Sequence, residues 1–458
     1  MIRPPLPLWT ARLSRSLRWR STSQQAFGLA WPIVLASIGE NIINLLDTAF
    51  MGRVGVVELG AVGLATIWYF MLLIVGMGLG SGLQILVARR MGEGQPQAVG
   101  RSFDQGLLVG LAVAALLYAL QWGAGAQLYR LFCKSDAVYE ASMTYLNWRS
   151  YDIFFAVQIF LLRGFYNGIG ENRIIVWSTA LMAALNALLN YILVFGAWGM
   201  PAMGIAGVAI ASAVAHVVAW AVLWANLYLR GLPSRFGLLS TWRPDWATAR
   251  SLLQLSAPLI LQYVIAMVAF FFFMGLIEKR GEVDLAVSNL MKSVYLTFMI
   301  PSWGLSSAVG TLVSRRIGEG HANAVLPLLW HVARLNLLLA FVLSTPLLVV
   351  PRAVLHLFTN DAAVVEAALP LLVVVVPSLW VYAVSNILLG ALIGTGASRW
   401  SMATEMLNAG LYMAFLVGAA AAGSSLQVLW MCEWIYVLVI GLLPGWLLHR
   451  GRWRGVVV

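Results

Sequence analysis

The octapeptide VARRMGEG at 87–94 is repeated as VSRRIGEG at 313–320, with six of the eight residues identical. The offset that aligns position 87 with position 313 also aligns LFCKSDAVYEA at 131–141 with LFTNDAAVVEA at 357–367. We call it the repeat offset. A single offset that holds over such a distance indicates a duplicated unit rather than chance similarity. The sequence therefore predicts two similar halves.

Six long apolar segments lie in each half. Of the 458 residues, 61% are hydrophobic and 10% are charged, whereas soluble domains carry roughly 25% charged residues. Several segments approach the ~20 residues that cross a bilayer as a helix. We therefore predict an all-α integral membrane protein with twelve transmembrane helices in two pseudo-symmetric six-helix lobes around a central cavity. The predicted spans are 28–51, 59–84, 105–124, 142–164, 174–198, 204–229, 253–277, 285–311, 326–350, 367–393, 400–422 and 426–448.

This reading divides the chain into five parts. Because each half has an even number of spans, both halves start on the same side of the membrane, as in a parallel repeat whose lobes rock about a central site. The parts are a basic tail at 1–26, a first lobe at 27–229, a cytoplasmic linker at 230–252, a second lobe at 253–449 and a basic tail at 450–458.

The net charge of +11 is distributed unevenly over the predicted loops. With the N-terminus inside, 20 of the 29 Lys and Arg residues fall on the cytoplasmic side, 6 on the opposite side and 3 within spans. This bias is typical of membrane topology and makes a nucleic-acid partner unnecessary. We expect both termini to be cytoplasmic, in a bacterial inner (plasma) membrane. A targeting peptide and a lipid-bound tail both fit residues 1–26, and the lipid-bound tail is preferred.

Several classes of function are excluded by what the sequence lacks. Two cysteines, Cys133 and Cys432, are too few for a disulfide framework or a metal site. The five histidines are dispersed, and neither a catalytic constellation nor a G-x-x-x-x-G-K-[ST] loop is present. We expect no enzymatic activity, no catalytic residues, no cofactor and no metal beyond a possible sodium ion. Transport would then be driven by an ion gradient or by the substrate's own gradient.

The first span contains polar side chains where lipid makes them costly. Glu40, Asn44 and Asp47 stand at i, i+4 and i+7, so they share one stripe of the helix. Pro32, two turns earlier, removes a backbone donor and predicts a hinge. The repeat offset places Ala266, Phe270 and Phe273 at the matching positions of the second half. This asymmetry favours cation coupling for the stripe over packing, although a buried hydrogen-bond network remains open.

Other intramembrane polar residues supply further candidates. Asn186 and Asn190 share a face of the fifth span, and Ser212 lies on the sixth, so these three could complete an oxygen-lined cation site or join helices. Among the secondary intramembrane charges, we expect the i, i+3 pair Arg149 and Asp152 to neutralise each other. The remaining three are expected to form ion pairs in the second lobe or to line its cavity: Lys292, Glu405 and Glu433.

At this point the chain resembles the multidrug and toxic compound extrusion (MATE) antiporters over about residues 25 to 450. The resemblance implies twelve helices in two lobes and drug export driven by sodium or proton entry. The motifs that carry it are LAWP at 29–32, LLDTAFMGRVG at 45–55, the VARRMGEG and VSRRIGEG pair, RGFYNGIGENR at 163–173, LNALLNYILVFG at 185–196, GIAGVAIAS at 204–212 and NLMKSVYLTFMIPSWGLSSA at 289–308.

The resemblance also implies residue roles. Asp47 matches the usual cation-coupling aspartate of that family, and Pro32 matches a proline where the first helix bends on protonation. Asn186 matches a helix-five asparagine of some members, whereas Asn190 stands where those members have an aspartate. Another branch uses acidic residues on helices seven and ten, but the corresponding spans here contain none.

Two hypotheses for function follow. The first is a secondary antiporter, coupled to Na⁺ or H⁺, that exports small cationic or lipophilic compounds by alternating access. The alternative is a lipid-linked or polyisoprenoid flippase of a related superfamily, which commonly has more basic residues within its spans. In either case the expected partners are small-molecule substrates and membrane lipids, with no nucleic acid, and the expected state is a monomer.

Overall fold

A computed structural model describes residues 22–240, 244–451 and 453–455 of the chain. All regular elements in this part are helical. Most of the predicted N-terminal tail and part of the C-terminal tail lie outside the described residues. The long helices are α1 Thr22–Met51, α2 Val56–Gly92, α3 Pro96–Arg130, α4 Asp136–Ser150, α5 Ile153–Ile169, α6 Arg173–Phe195, α7 Gly204–Leu229, α8 Trp246–Glu278, α9 Glu282–Gly318, α10 Val325–Val349, α11 Ala362–Gly394, α12 Ser398–Ala421 and α13 Leu426–His449.

These helices give the twelve predicted crossings. Ten helices within the described residues are long and apolar enough to cross a membrane. The fourth crossing is divided, because the backbone turns at Tyr151 and Asp152 between α4 and α5. The eleventh crossing, α12, is not among the ten because its sequence is more polar. The expected all-α fold of twelve crossings in two lobes is confirmed.

The internal repeat is visible in the backbone. Helices α2 and α9 both have 37 residues, and the repeat offset relates both their first and their last residues. Gly94 and Gly320, the last residues of the two octapeptides, both adopt left-handed φ angles, of 70° and 78°. Glycine adopts this conformation without steric cost, which explains why the motif ends in glycine in both halves.

The two octapeptides also pack against each other. Gly92 lies against the backbone carbonyl of Arg315, and Gly318 lies against that of Arg89, so a Cβ atom at either glycine would collide with the other lobe. Arg89 further donates from Nη2 to the carbonyl of Thr395 at 2.9 Å. The lobes are therefore closed at the end that carries these motifs, which we call the motif seal.

Polar contacts continue this seal one turn deeper. Gln84 donates from Nε2 to the hydroxyl of Thr311 at 2.8 Å, and the Ser314 hydroxyl donates to the carbonyl of Ile85 at 2.8 Å. Each of these bonds joins α2 of the first lobe to α9 of the second. Several glycines and serines at the interface let the two helices approach closely, as small residues do in membranes.

Helix α1 is shared between the lobes. Near its beginning, Ala26 and Ala30 are buried with residues of α9 such as Val309. Near its end, Met51 is fully buried in the core of the first lobe. Pro32 lies inside the helix, within the part that contacts the second lobe, because Ala30 and Val34 on either side of it pack against Gly304 of α9.

Candidate functional site

The carboxylate of Asp47 is held by side chains of α6 and α7. Asp47 is 7% exposed, although it lies near the end of a helix with several exposed neighbours. Its Oδ1 accepts a hydrogen bond from Asn190 Nδ2 at 2.6 Å, and its Oδ2 accepts one from the Ser212 hydroxyl at 3.0 Å. Three helices therefore meet at this one carboxylate.

Asn186 completes the network. Its Nδ2 donates to the Ser212 Oγ at 3.0 Å, and its Oδ1 accepts from Asn190 Nδ2 at 3.1 Å. Both asparagines are fully buried. The Oδ1 of Asn190 is buried without a hydrogen-bond partner, so an acceptor is left over beside the carboxylate. We call these four residues the Asp47 cluster.

No basic side chain neutralises Asp47 by direct contact. Among the described residues it forms no ion pair, and the cation that acts on it electrostatically is Arg149. Arg149 itself pairs with Asp152, with Nη1 and Oδ2 2.8 Å apart. The cluster supplies neutral donors to the carboxylate but no compensating charge in contact with it.

A second charged group lies at the turn between α4 and α5. Besides Arg149, Asp152 Oδ2 accepts from the Tyr69 hydroxyl at 2.7 Å and lies 2.8 Å from His216 Nδ1. The guanidinium of Arg149 stacks over the Tyr69 ring at 4.3 Å. The sequence paired Arg149 with Asp152 but did not include Tyr69 or His216. The sequence could have pointed to His216, because it follows Ser212 of the Asp47 cluster by one helical turn and therefore lies on the same face of the helix.

Glu40 and Asn44 do not join the Asp47 cluster. Glu40 forms an ion pair with Arg163 of α5, whose Nη2 also donates to the Thr179 hydroxyl at 3.1 Å. Asn44 is exposed. Glu40 and Asp47 are two helical turns apart, which is about 10 Å along the helix axis, so two residues of one stripe can contact different neighbours.

Arg163 is also placed differently from the sequence analysis. It was counted with the basic residues of the cytoplasmic side, at the end of the predicted span 142–164. In the structure α5 continues to Ile169, and the Arg163 side chain is 13% exposed and turned towards α1. The apolar pattern ended too early because the helix continues through the polar sequence RGFYNGI.

The charges of the second lobe do not form the expected ion pairs with one another. Lys292 lies over the Phe270 ring at 5.4 Å and donates to Asn289 Oδ1 at 3.3 Å. Glu405 accepts from an asparagine, and Glu433 accepts from Tyr412 Oη at 3.2 Å. Among the described residues, neither carboxylate pairs with Lys292 or with any other basic side chain.

A metal centre built on nitrogen, sulfur or several acids has no counterpart in the described part of the chain. It contains no group of three or more His, Cys, Asp or Glu side chains that could hold a metal ion. The oxygen atoms of the Asp47 cluster come from one carboxylate, two amides and one hydroxyl. Such a set suits a proton or a hard monovalent cation better than a transition metal.

The comparison with known protein families is independent of the site geometry. The MatE family model matches residues 32–192 and 258–422, and the starts of the two matches are related by the repeat offset. Together the matched segments cover more than half of the chain. They include Pro32, Asp47, Asn186 and Asn190, whereas Ser212 lies between the two segments.

Curated relatives share this similarity. A protein of Rhizobium meliloti (strain 1021), named "Probable multidrug resistance protein NorM", is 29% identical over 366 residues, 78% of this chain and 77% of that protein. A protein of the same name from Agrobacterium fabrum is 28% identical over 311 residues, 67% of this chain. The alignment spans 66% of the length of the Agrobacterium protein.

Solved structures share the fold. A crystal structure of MATE in complex with MaL6 superimposes with a TM-score of 0.86 at 18% identity, covering 95% of this chain and 96% of that chain. A MOP superfamily transporter from Pyrococcus furiosus, described as having a binding pocket of reverse polarity, superimposes with a TM-score of 0.84 at 18% identity and the same coverage. At this level of identity the likeness concerns the fold alone.

Proposed function

Because the chain belongs to the MATE family, we propose that it is a secondary antiporter that exports small cationic or lipophilic compounds in exchange for Na⁺ or H⁺. The protein is a membrane transporter rather than an enzyme, as the sequence predicts. Asp47 is the proposed coupling group. In this proposal both termini are cytoplasmic, in a bacterial inner membrane.

The observation that carries the proposal is the buried Asp47 carboxylate, which contacts no basic side chain of the described residues. A carboxylate at the centre of a membrane helix costs about 2.5–3.5 kcal/mol on insertion scales. Asp47 lies nearer the end of α1, but it is 7% exposed, so its charge is costly through burial among the helices. Hydrogen bonds from Asn190 and Ser212 reduce this cost without removing the charge. A bound proton or sodium ion would neutralise it, and a substrate cation that competes for the same charge would displace that ion.

The chemistry of the cluster is compatible with either ion. A proton would bind to Asp47 itself. A sodium ion would take oxygen ligands, for which the carboxylate, the unpartnered Oδ1 of Asn190 and the Oγ of Ser212 are available. The remaining sequence candidates, Glu40 and Asn44, lie outside the Asp47 cluster and are not needed for ion binding in this proposal.

The arrangement of basic residues disfavours the flippase alternative. Arg149 pairs with Asp152, and Arg163 pairs with Glu40. Among the residues the structure describes, the basic side chains within spans that lack a carboxylate partner are Lys292, which lies over the Phe270 ring, and Arg334, which is exposed on α10. A phosphorylated lipid headgroup would require more unpaired cations.

The test is dye efflux from proteoliposomes that contain the purified full-length protein. Vesicles are loaded with a cationic dye, and a pH gradient or a sodium gradient is imposed separately. Efflux is expected to respond to one of the gradients and to fall at least about tenfold in Asp47→Asn, which keeps the side-chain volume but loses the charge.

Glu366→Gln provides the matched control. Glu366 is an exposed acid that pairs with Arg352, far in sequence from the cluster, and its replacement is expected to leave efflux unchanged. Gradient-driven efflux that survives undiminished in Asp47→Asn would contradict the proposed coupling role.

A further inference from the structure

Helix α12 has a line of buried polar side chains along one face. Ser401, Glu405, Asn408 and Tyr412 stand at i, i+4, i+7 and i+11, and none of them is more than 5% exposed. This line explains why α12 is not among the ten helices that are both long and apolar enough to cross a membrane. A helix that could have been entirely apolar instead presents a carboxylate, an amide and a phenol to the interior of the second lobe.

A second carboxylate meets this line from α13. Glu433 accepts a hydrogen bond from the Tyr412 hydroxyl at 3.2 Å. Tyr412 lies on the same buried face of α12 as Glu405, so this hydrogen bond joins the polar line of α12 to Glu433 on α13. The two acids therefore belong to one group of side chains, which we call the second-lobe acid pair.

No cation in the described part of the chain neutralises this pair. Neither Glu405 nor Glu433 forms an ion pair, and Lys292 is held by Asn289 and the Phe270 ring instead. Glu405 is 2% exposed, and Glu433 is half-buried. An ionised carboxylate without a cation is costly in an apolar interior, and a buried group of this kind takes up a proton rather than remain charged. The tyrosines offer hydrogen bonds but no positive charge.

Two polar atoms beside the pair are buried without partners. The Oδ1 of Asn408 is one, although the Nδ2 of the same amide donates to Glu405 Oε1 at 3.4 Å. The hydroxyl of Tyr295 is the other, and it lies within electrostatic range of Glu433. Asn408 is 1% exposed and Tyr295 is 6% exposed.

The orphan oxygen of Asn408 indicates which form of Glu405 fits the site. An amide oxygen can only accept a hydrogen bond, and an ionised carboxylate can only accept as well. A protonated carboxyl group is a donor, so a neutral Glu405 satisfies the carbonyl of Asn408. The Tyr295 hydroxyl can donate or accept, so it accommodates either form of Glu433.

We propose that Glu405 and Glu433 form a proton-binding site in the second lobe, separate from the Asp47 cluster. Each site proton sits on a carboxyl oxygen in the closed arrangement and passes to water when water enters between α11, α12 and α13. The repeat offset places Thr179 and Gly207 at the matching positions of the first lobe, so the site is specific to the second lobe. The part it plays in transport rests on the proposed function, whereas its protonation does not.

The titratable groups near the pair come from α9, α11, α12 and α13. They are neutral in ordinary conditions, and no Lys, Arg or His side chain of the described residues is among them. The titratable side chains are Tyr295 of α9, Tyr382 of α11, Tyr412 of α12, and Cys432 and Tyr436 of α13.

The test is a pH titration of the full-length protein in lipid nanodiscs, followed by infrared difference spectroscopy. The C=O stretch of a protonated carboxyl group is recorded in an Asp47→Asn parent, which removes the first-lobe signal. We expect the parent to keep this band at neutral pH. Glu405→Gln and Glu433→Gln should each remove part of it, while the exposed control Glu366→Gln should leave it unchanged.

Tyr412→Phe is a milder variant that removes the hydroxyl donor to Glu433 and no carboxyl group. It is expected to shift the band rather than abolish it, and it keeps the test informative if a glutamine variant fails to fold. A band that is the same in both glutamine variants as in the parent would overturn the proposal. Loss of the band on addition of sodium at constant pH would also overturn it, because the site would then bind a metal ion.

The spectroscopic result does not depend on efflux. If Asp47→Asn transports normally while the glutamine variants lose the carboxyl band, the proposed function fails and the second-lobe site stands. If Asp47→Asn blocks efflux while the band is insensitive to Glu405 and Glu433, the reverse holds.

Discussion

At the scale of single residues, the position of a polar side chain along its helix decides which partners it meets. Asp47 reaches Asn190 and Ser212, while Glu40, two turns earlier on the same helix, meets Arg163 instead. Helix α1 therefore contributes carboxylates to two groups of side chains at different heights along its axis. Among the described residues, the Asp47 carboxylate contacts no cation, whereas the Glu40 carboxylate pairs with Arg163.

The Asp47 cluster leads to a prediction that separates its members from their neighbours on α1. Asn190→Ala removes the donor at 2.6 Å from Asp47 Oδ1. A hydrogen bond to a charged group contributes about 1.5–3 kcal/mol, so affinity for the coupling ion and efflux at limiting ion should change by about tenfold or more. Asn44→Ala, on the exposed side of α1, is the control and should transport normally. Equal effects of the two variants in the dye assay would contradict the layered site.

The Glu40 and Arg163 pair makes a separate prediction about stability. Removal of one partner by Glu40→Gln or Arg163→Gln is expected to cost about 1–2 kcal/mol, a modest value because the Glu40 side chain is 41% exposed. The double variant should recover part of the loss, since no single charge is left unpaired. Thermal unfolding in detergent measures the cycle, and additive losses would show that the pair does not interact.

Sequence reasoning reached some of these residues and not others. Helical spacing placed Asn186 and Asn190 on one face, and the resemblance to MATE antiporters pointed to Asp47. The contact of Asp152 with His216 joins two helices that are distant in the chain, and no local pattern encodes which helix faces which. The tyrosines around Glu405 and Glu433 were missed for the same reason.

At the scale of elements, local sequence explains where several helices begin and end. Asp245 begins α8 as an N-cap residue, and its Oδ1 accepts from the backbone nitrogens of Ala247 and Thr248. The division of the fourth crossing into α4 and α5 was not predicted. Its apolar periodicity continues through Tyr151, and the turn there depends on Asp152 binding to side chains of α2 and α7.

The α8 cap makes a pH-dependent prediction. The Thr248 hydroxyl, which donates to Asp245 Oδ2 at 2.7 Å, lowers the pKa of Asp245 in the folded protein. The cap therefore stabilises fully above the unfolded pKa of about 3.9 and loses its effect as the pH falls through the lower folded value. Asp245→Ala should lower stability by about 1 kcal/mol at neutral pH and by less in acid.

Melting temperatures of both forms at neutral and acid pH measure this difference. Glu140→Ala, at an exposed position of α4, controls for loss of a surface acid. A deficit of Asp245→Ala that stays constant down to the lowest pH tested would show that the ionised carboxylate does not contribute.

At the scale of the whole molecule, duplication explains why the lobes meet as they do. The repeat was readable from VARRMGEG and VSRRIGEG, and it predicted two similar six-helix lobes. The equal lengths of α2 and α9 in the structure agree with this repeat. The sequence did not indicate that the two copies of the motif touch. That contact depends on the distance between lobes, which a comparison of one half with the other cannot supply.

The motif seal predicts a shift in the balance between closed and open states. Gly92→Ala places a methyl group against the Arg315 carbonyl, so the lobes must separate at that end to accommodate it. A reporter substitution, Ser314→Cys, lies at a fully buried position of the seal. Its labelling by a water-soluble thiol reagent should be faster with Gly92→Ala than without it.

Gly410→Ala on α12 serves as the control, because a Cβ atom there meets no atom within 4 Å. Labelling should be unaffected by this change. Identical labelling rates for Gly92→Ala and Gly410→Ala would mean that the glycines do not hold the lobes together.

The sharing of α1 between lobes has a mechanical consequence. The stretch of continuous helix from Ala26 to Asp47 is about 30 Å long. A displacement at one end of this helix is transmitted to the other end through continuous helical backbone, with no loop between them. Pro32 lies within this stretch and lacks a backbone donor, so we expect the helix to bend most easily there. An ion bound at Asp47, as proposed, would therefore act on the second lobe through α1.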